Sequence, residues 1–202
     1  MGLWLAQEPL VLASRSEGRR AVLAAAAIPL EVLPADIDER AIEAGAGMKS
    51  PGDIAIVLAR AKACAVAGKV LGRLVLGADQ TLALGTRLFT KPADLAAARD
   101  QLKSLRGRTH ELHSAVVLAR DGAVLFEHCE IARLTMRSFS DRFLAAYVGA
   151  AGLAVTASVG AYQVEGIGIQ LFERIEGDHF TILGLPLLRL LQFLRQHGCL
   201  RR

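Results

Sequence analysis

Apolar residues fall in short dense runs along this chain, separated by stretches whose polar residues recur with helix or turn spacing. Leu10-Val11-Leu12-Ala13 reads as a short buried strand, since an unbroken apolar run of that length suits a strand covered on both faces. Ser14 follows as a helix cap, and residues 17–27 form an Ala-rich helix stopped at Pro29. A second strand, 30–33, runs into the acidic loop Asp36-Ile37-Asp38-Glu39. The next helix has an explicit start, with Ser50 as cap, Pro51 at the first helical position and Asp53 in the capping-box position; it ends at Gly68. Residues 74–78 form a strongly apolar strand that delivers Asp79 to its C-terminal edge. A hairpin at Gly85-Thr86, the pair Lys91-Pro92 and a helix over 94–105 closed by Gly107 come next.

Beyond Gly107 the pattern turns to β. Residues 109–119 and 123–137 are extended and joined at Asp121-Gly122, a strong hairpin signal. A short helix over 141–149, a Gly-rich stretch over 160–168 and a strand over 169–175 follow, and a final amphipathic helix runs from after Gly184-Leu185-Pro186 to His197. Strands and helices are interleaved without a segregated linker. That order predicts one α/β domain over residues 1–202, with two lobes around a cleft.

Composition narrows the chemistry. With 52% hydrophobic and 22% charged residues the chain can bury a sizeable core. Aromatic residues make up only 5%, too few for a base-stacking platform on single-stranded nucleic acid. The net charge is +4, but Lys and Arg are scattered, so a basic pocket for a small polyanion fits better than nucleic-acid binding. Cys64, Cys129 and Cys199 are far apart and form no Cys-x-x-Cys, which predicts reduced thiols. No basic region followed by a long apolar run opens the chain, and no uncharged apolar stretch is long enough for a membrane helix. A soluble cytoplasmic protein without membrane contact is expected.

Three groups of residues could carry chemistry. Ser14, Gly18, Arg19 and Arg20 lie between a strand and a helix start, where free N–H groups, hydroxyls and guanidinium forks suit phosphate; an ordinary capped helix with solvated arginines explains them too. Asp79 at a strand end can hold a divalent cation or take a proton from attacking water, or simply form a turn. Gln80 beside it has an amide able to read a base edge. Lys62 and Lys91 are isolated cations, and the Asp36–Glu39 loop could ligate Mg²⁺ through oxygen or be a solvated turn. His110 and His113 are three apart on a strand and face opposite ways, so they cannot chelate together. No Walker loop, Gly-x-Ser-x-Gly elbow or Gly-x-Gly-x-x-Gly fingerprint occurs.

The order of these pieces resembles the Maf-like nucleotide pyrophosphatase family over nearly all of Leu10 to Gly198. The likeness is carried by Leu-Ala-Ser-x-Ser-x-x-Arg-Arg at 12–20, Asp36-Ile37-Asp38-Glu39, Ala59-Arg60-Ala61-Lys62-Ala63, Gly77-Ala78-Asp79-Gln80 and Lys91-Pro92. Leu105-Arg106-Gly107-Arg108-Thr109-His110, Phe172-Glu173-Arg174-Ile175-Glu176-Gly177 and Gly184-Leu185-Pro186-Leu187 extend it. The resemblance implies a two-lobed, mixed-sheet, ITPase-like α/β fold with the active site in a central groove, and a homodimer. It implies hydrolysis of nucleoside triphosphates to the monophosphate and pyrophosphate with Mg²⁺ or Mn²⁺, a housecleaning of non-canonical nucleotides; the alternative is a nucleotide-binding regulator of cell division. By position, Asp79 matches the proton acceptor and a metal-side group, Glu39 the acidic metal-side residue, and Ser14, Arg19, Arg20, Lys62 and Lys91 the phosphate-facing groups. Gln80 and Glu165 resemble the branch that acts on 7-methyl-GTP. Glu17-Gly18 stand where that branch carries Pro-Trp, and Gly18 has no ring to stack on a base, so a broader nucleoside triphosphate pyrophosphatase stays open.

Overall fold

A computed structural model describes residues 2–45, 47 and 50–202. The chain forms two compact units, the first from Met1–Gln80, His113–Glu130 and Asp178–Arg202, the second from Thr81–Leu112 and Ile131–Gly177. It is a mixed α/β protein with strands β1 (Leu10–Leu12), β2 (Leu30–Val32), β3 (Val75–Leu84), β4 (Arg87–Phe89), β5 (Thr109–Arg120), β6 (Ala123–Met136) and β7 (Phe172–Glu176). They form a seven-stranded sheet in the order β2-β1-β3-β5-β6-β7, β4 pairing with β3.

In the first unit, β1 (Leu10–Leu12) pairs in parallel with both β2 (Leu30–Val32) and β3 (Val75–Leu84). Alternation along β1 sends its residues to two different cores. Leu10 and Leu12 pack with Leu76 and Ala78 against Val22 and Leu23 of α1 (Glu17–Ala25) and Leu190 and Leu194 of α7 (Leu187–Gln196). Val11 and Ala13 pack with Val75 against Ala55, Ala59 and Ala63 of α3 (Pro51–Ala67). Helices therefore cover both faces of these strands, which is why their sequence is continuously apolar.

The start of α3 is as expected: Ser50 and Asp53 form the capping box and Pro51 opens the helix. Gly77 lets α3 come unusually close to β3. A Cβ there would collide with the Ala59 carbonyl oxygen and stand 2.7 Å from the Ala63 nitrogen.

Three local expectations change before β5. Ser16, not Ser14, caps α1, its hydroxyl accepting from the Arg19 amide. The acidic loop leads directly into a helix that the apolar pattern did not signal, α2 (Glu39–Gly45), with the Asp38 carboxylate accepting from the Ala41 amide. β3 does not stop before Asp79 but continues to Leu84, because Leu82, Ala83 and Leu84 find an antiparallel partner in β4 (Arg87–Phe89).

In the second unit, α4 (Leu95–Leu105), α5 (Asp141–Ala151) and 3-10 turns over 152–171 accompany β4, β7 (Phe172–Glu176) and parts of β5 (Thr109–Arg120) and β6 (Ala123–Met136). The β5–β6 connection is the two-residue turn Asp121-Gly122, both at positive φ. Residues 167–171 form a 3-10 turn instead of opening the following strand, so β7 begins at Phe172. A short helix, α6 (His179–Ile182), precedes α7 in the first unit.

Candidate active site

Asp79 lies on β3 just after the parallel pairing with β1 has ended at Leu76. Two residues earlier, Gly77 admits α3, and the helix presents Lys62 to the carboxylate. Lys62 Nζ donates to Asp79 Oδ1 at 2.6 Å and lies 2.9 Å from Glu39 Oε1. Both Lys62 and Asp79 are buried, so the pair is one that solvent screens little. An ammonium has three N–H groups, and these carboxylates take two, leaving one. Among the described residues no protein group bonds Asp79 Oδ2.

Arg19 completes the cluster. Once β1 has ended, the Ala78 carbonyl lacks a partner there, and Arg19 Nη1 donates to it at 2.8 Å. Nη1 also reaches Ser14 Oγ at 3.2 Å, and Nε donates to the Gly184 carbonyl at 2.9 Å. Three of five guanidinium N–H donors are thus held by protein, which fixes the plane and leaves the Nη2 pair. Burial pushes the guanidinium pKa down, and Asp79 and Glu39 push it back up. Ser14 Oγ accepts from Arg19 and from the Ser16 amide, so its own proton is available to a ligand.

Glu43 was not singled out from the sequence. It lies one turn beyond Glu39 on α2, and its carboxyl pKa is raised by desolvation, then by Asp79 and Glu39, against Lys62 and Arg40. The i, i+4 spacing from Glu39 was the available signal. Among the described residues no three His, Cys, Asp or Glu side chains form a ready metal cage.

The structure thus brings Ser14, Arg19, Glu39, Lys62 and Asp79 together. Arg20 is exposed and pairs with Glu17, and Gly18 is exposed in the first turn of α1. Asp36 and Asp38 are exposed. Lys91 and Glu165 belong to the second unit and are also exposed. Gln80 is half-buried, and its Nε2 donates to Ser114 Oγ and to the carbonyls of Thr181 and Ile182. Cys129 lies near His113 beside Gly52, and burial, with Asp53 and Glu130, pushes its thiol up to about 11, far from thiolate chemistry.

The family model for "Maf-like protein" matches residues 9–197. A nucleoside triphosphate pyrophosphatase of Rhodopseudomonas palustris is 58% identical over 200 residues, 99% of each chain. One from Bradyrhizobium diazoefficiens is 59% identical over 195 residues, 96% of each. A 7-methyl-GTP pyrophosphatase of Mesorhizobium japonicum is 54% identical over 196 residues, 96% of this chain and 98% of that one. With a family model spanning nearly its whole length, the chain belongs to the Maf-like protein family.

Proposed function

We propose that this protein hydrolyses nucleoside triphosphates to the monophosphate and pyrophosphate. The observation that carries the reading is Lys62, buried and held between Asp79 and Glu39, beside a guanidinium whose Nη2 edge is free. Arg19, Lys62 and the Ser14 hydroxyl neutralise and orient the phosphates. Asp79, through its unengaged oxygen, takes the proton of the water that attacks phosphorus, and pyrophosphate leaves. Lys91 is the further phosphate-facing cation carried over from the family pattern.

Asp79 and Glu39 offer hard oxygen donors, and one or two carboxylates plus substrate phosphates is the set Mg²⁺ ordinarily takes, so the donors fit a divalent cation. Bound there, Mg²⁺ or Mn²⁺ would supply charge neutralisation and polarisation of the phosphoryl group. Three unpaired thiols suit a reducing cytoplasm, and no helix among the described residues is long and apolar enough to cross a membrane.

For base choice, the name of one relative, a 7-methyl-GTP pyrophosphatase, and the carried-over Gln80 and Glu165 favour a guanine-type or 7-methylguanine base. The other relatives are named for nucleoside triphosphates without a base and fit a broader pyrophosphatase. A carboxylate such as Glu165 accepts from guanine N1–H and the exocyclic amine, and attracts a methylated, positively charged ring. The test is pyrophosphate release with Mg²⁺ or Mn²⁺ across canonical and modified triphosphates, in ¹⁸O-labelled water. Turnover with label in the products supports the reading; tight binding without turnover sinks it.

A further inference from the structure

Over residues 123–130, in the first unit, β6 has a partner strand on one side only. β5 pairs with it there, and β7 takes its other edge only over 133–136. Among the described residues no further backbone hydrogen bond reaches 123–130, so this edge shows a row of N–H and C=O groups that an added strand can complete. Neither proline nor lysine blunts it, and Val124 and Leu125 are exposed on it. Its two acids are engaged already: Glu127 accepts from Arg60 Nε and Nη2, and Glu130 Oε2 lies 3.7 Å from His128 Nε2.

Side chains alternate along the strand between two helices. Glu127 and Cys129 turn to the α3 side, which gives Leu125 the same face. Phe126 turns to the α7 side, where its ring meets that of Phe193 at 4.9 Å between centroids. On α7, Arg189, Gln192, Phe193 and Gln196 follow at i, i+3, i+4 and i+7 and so form one stripe. With Phe126 and His128 they line a cavity of about 240 Å³ beside the open edge. Its aromatic base is rimmed by one guanidinium and two amides, and among the described residues no protein group bonds the side chains of Arg189, Gln192 or Gln196. The surrounding charge has one sign: residues 185–202 hold Arg189, Arg195, Arg201 and Arg202 and no Asp or Glu.

We propose that this edge and cavity are a docking site for an extended acidic segment of a partner protein. The segment adds as a strand beside 123–130, and one of its carboxylate side chains enters the cavity and takes Arg189 through two parallel hydrogen bonds. Charge complementarity selects this occupant. A second copy of the chain would pair edge to edge about a two-fold axis and bring two basic α7 helices to one joint. The surface shares no residue with the Ser14, Arg19, Glu39, Lys62 and Asp79 cluster, so its occupation is a property separate from hydrolysis.

The probe is a blocked octapeptide alternating valine and glutamate, set against its lysine counterpart and a backbone N-methylated version that cannot donate to a sheet edge. Fluorescence anisotropy gives affinity, hydrogen exchange locates the contact, and sedimentation reports self-association. The acidic peptide should bind and slow amide exchange in 123–130, with the lysine and N-methylated peptides weaker by roughly tenfold or more. Arg189→Gln, at an exposed position, should weaken the acidic peptide by roughly tenfold and leave the lysine peptide unchanged, while Arg189→Lys recovers part of the loss. No binding of the acidic peptide, equal affinity for the lysine or N-methylated peptide, binding without protection of 123–130, or full affinity in Arg189→Gln each overturns the proposal. A dimer that protects 123–130 without peptide overturns it too, and gives the edge to a second copy.

Discussion

Lys62 in the first unit and His110 in the second are both basic side chains and both buried, 9% and 1% exposed. Lys62 meets two carboxylates, at 2.6 Å and 2.9 Å. His110 meets the Tyr162 hydroxyl at 2.7 Å through Nε2, while its buried Nδ1 has no partner among the described residues. Desolvation pushes the His110 pKa down to about 4, and pushes the Tyr147 phenol up to about 12 and that of Tyr162 up as well. The second unit thus buries polar groups as neutral species, while the first buries ions and pairs them. Buried ions are expensive, and keeping several together in one place is the arrangement a polyanion-cleaving site requires. His110, with the Tyr162 and Phe172 rings tilted against it, belongs to packing.

The sharpest way to break that contrast is at Asp79. Asp79→Asn keeps size and the bond to Lys62 but removes the proton acceptor, so turnover should fall by about 10³-fold, within the range for a lost general base. Nucleotide affinity should be largely retained. Pyrophosphate release and calorimetric binding check the two halves, and near-normal turnover would place the base elsewhere.

His110 gives the next largest effect, and it concerns stability. Its folded pKa, about 4, lies below the unfolded value of 6.5. Between those values the unfolded chain binds a proton that the folded one does not, so stability is full above pH 6.5 and is lost as pH falls toward 4. The loss reaches about 3 kcal/mol. Denaturant melts at pH 7, 5.5 and 4.5 should show it, and His110→Gln should flatten this limb. An unchanged slope in that variant would assign the acid sensitivity to other groups.

Gly77 links the two levels at which the site was legible. The capping box at Ser50-Pro51-Asp53 and the turns at Gly85-Thr86 and Asp121-Gly122 are local devices, and local sequence sufficed to find them. The length of β3 was not local: Asp79-Gln80-Thr81 interrupts the apolar run, and only the partner β4 carries the strand on to Leu84. Ser14 and Ser16 are both adjacent to the helix start, and spacing could not say which would cap and which would face Arg19. Lys62 and Asp79 were named separately, but their meeting depends on the missing side chain at Gly77, which no spacing rule shows. Gly77→Ala should therefore cost about 2 kcal/mol by overpacking and also lower turnover, as α3 and Lys62 are pushed off the strand. A variant with full activity and an unchanged Tm would mean that α3 can yield without moving Lys62.

Glu43 carries the smallest effect and the most specific sign. Its carboxyl pKa is raised by desolvation and then by repulsion from Asp79 and Glu39, so its charge works against the fold at neutral pH. Glu43→Gln should stabilise the protein by a few tenths of a kcal/mol at pH 7, a small gain because the side chain is exposed. The gain should vanish in acid, where Glu43 is protonated anyway. Added Mg²⁺ should reverse the order of stabilities: a cation among these carboxylates turns the negative charge from a cost into an attraction, and the Gln variant then binds the metal less tightly. Denaturant titrations with and without Mg²⁺ read that change of sign. A variant that is more stable by the same amount in both conditions would place the cation away from Glu39 and Asp79.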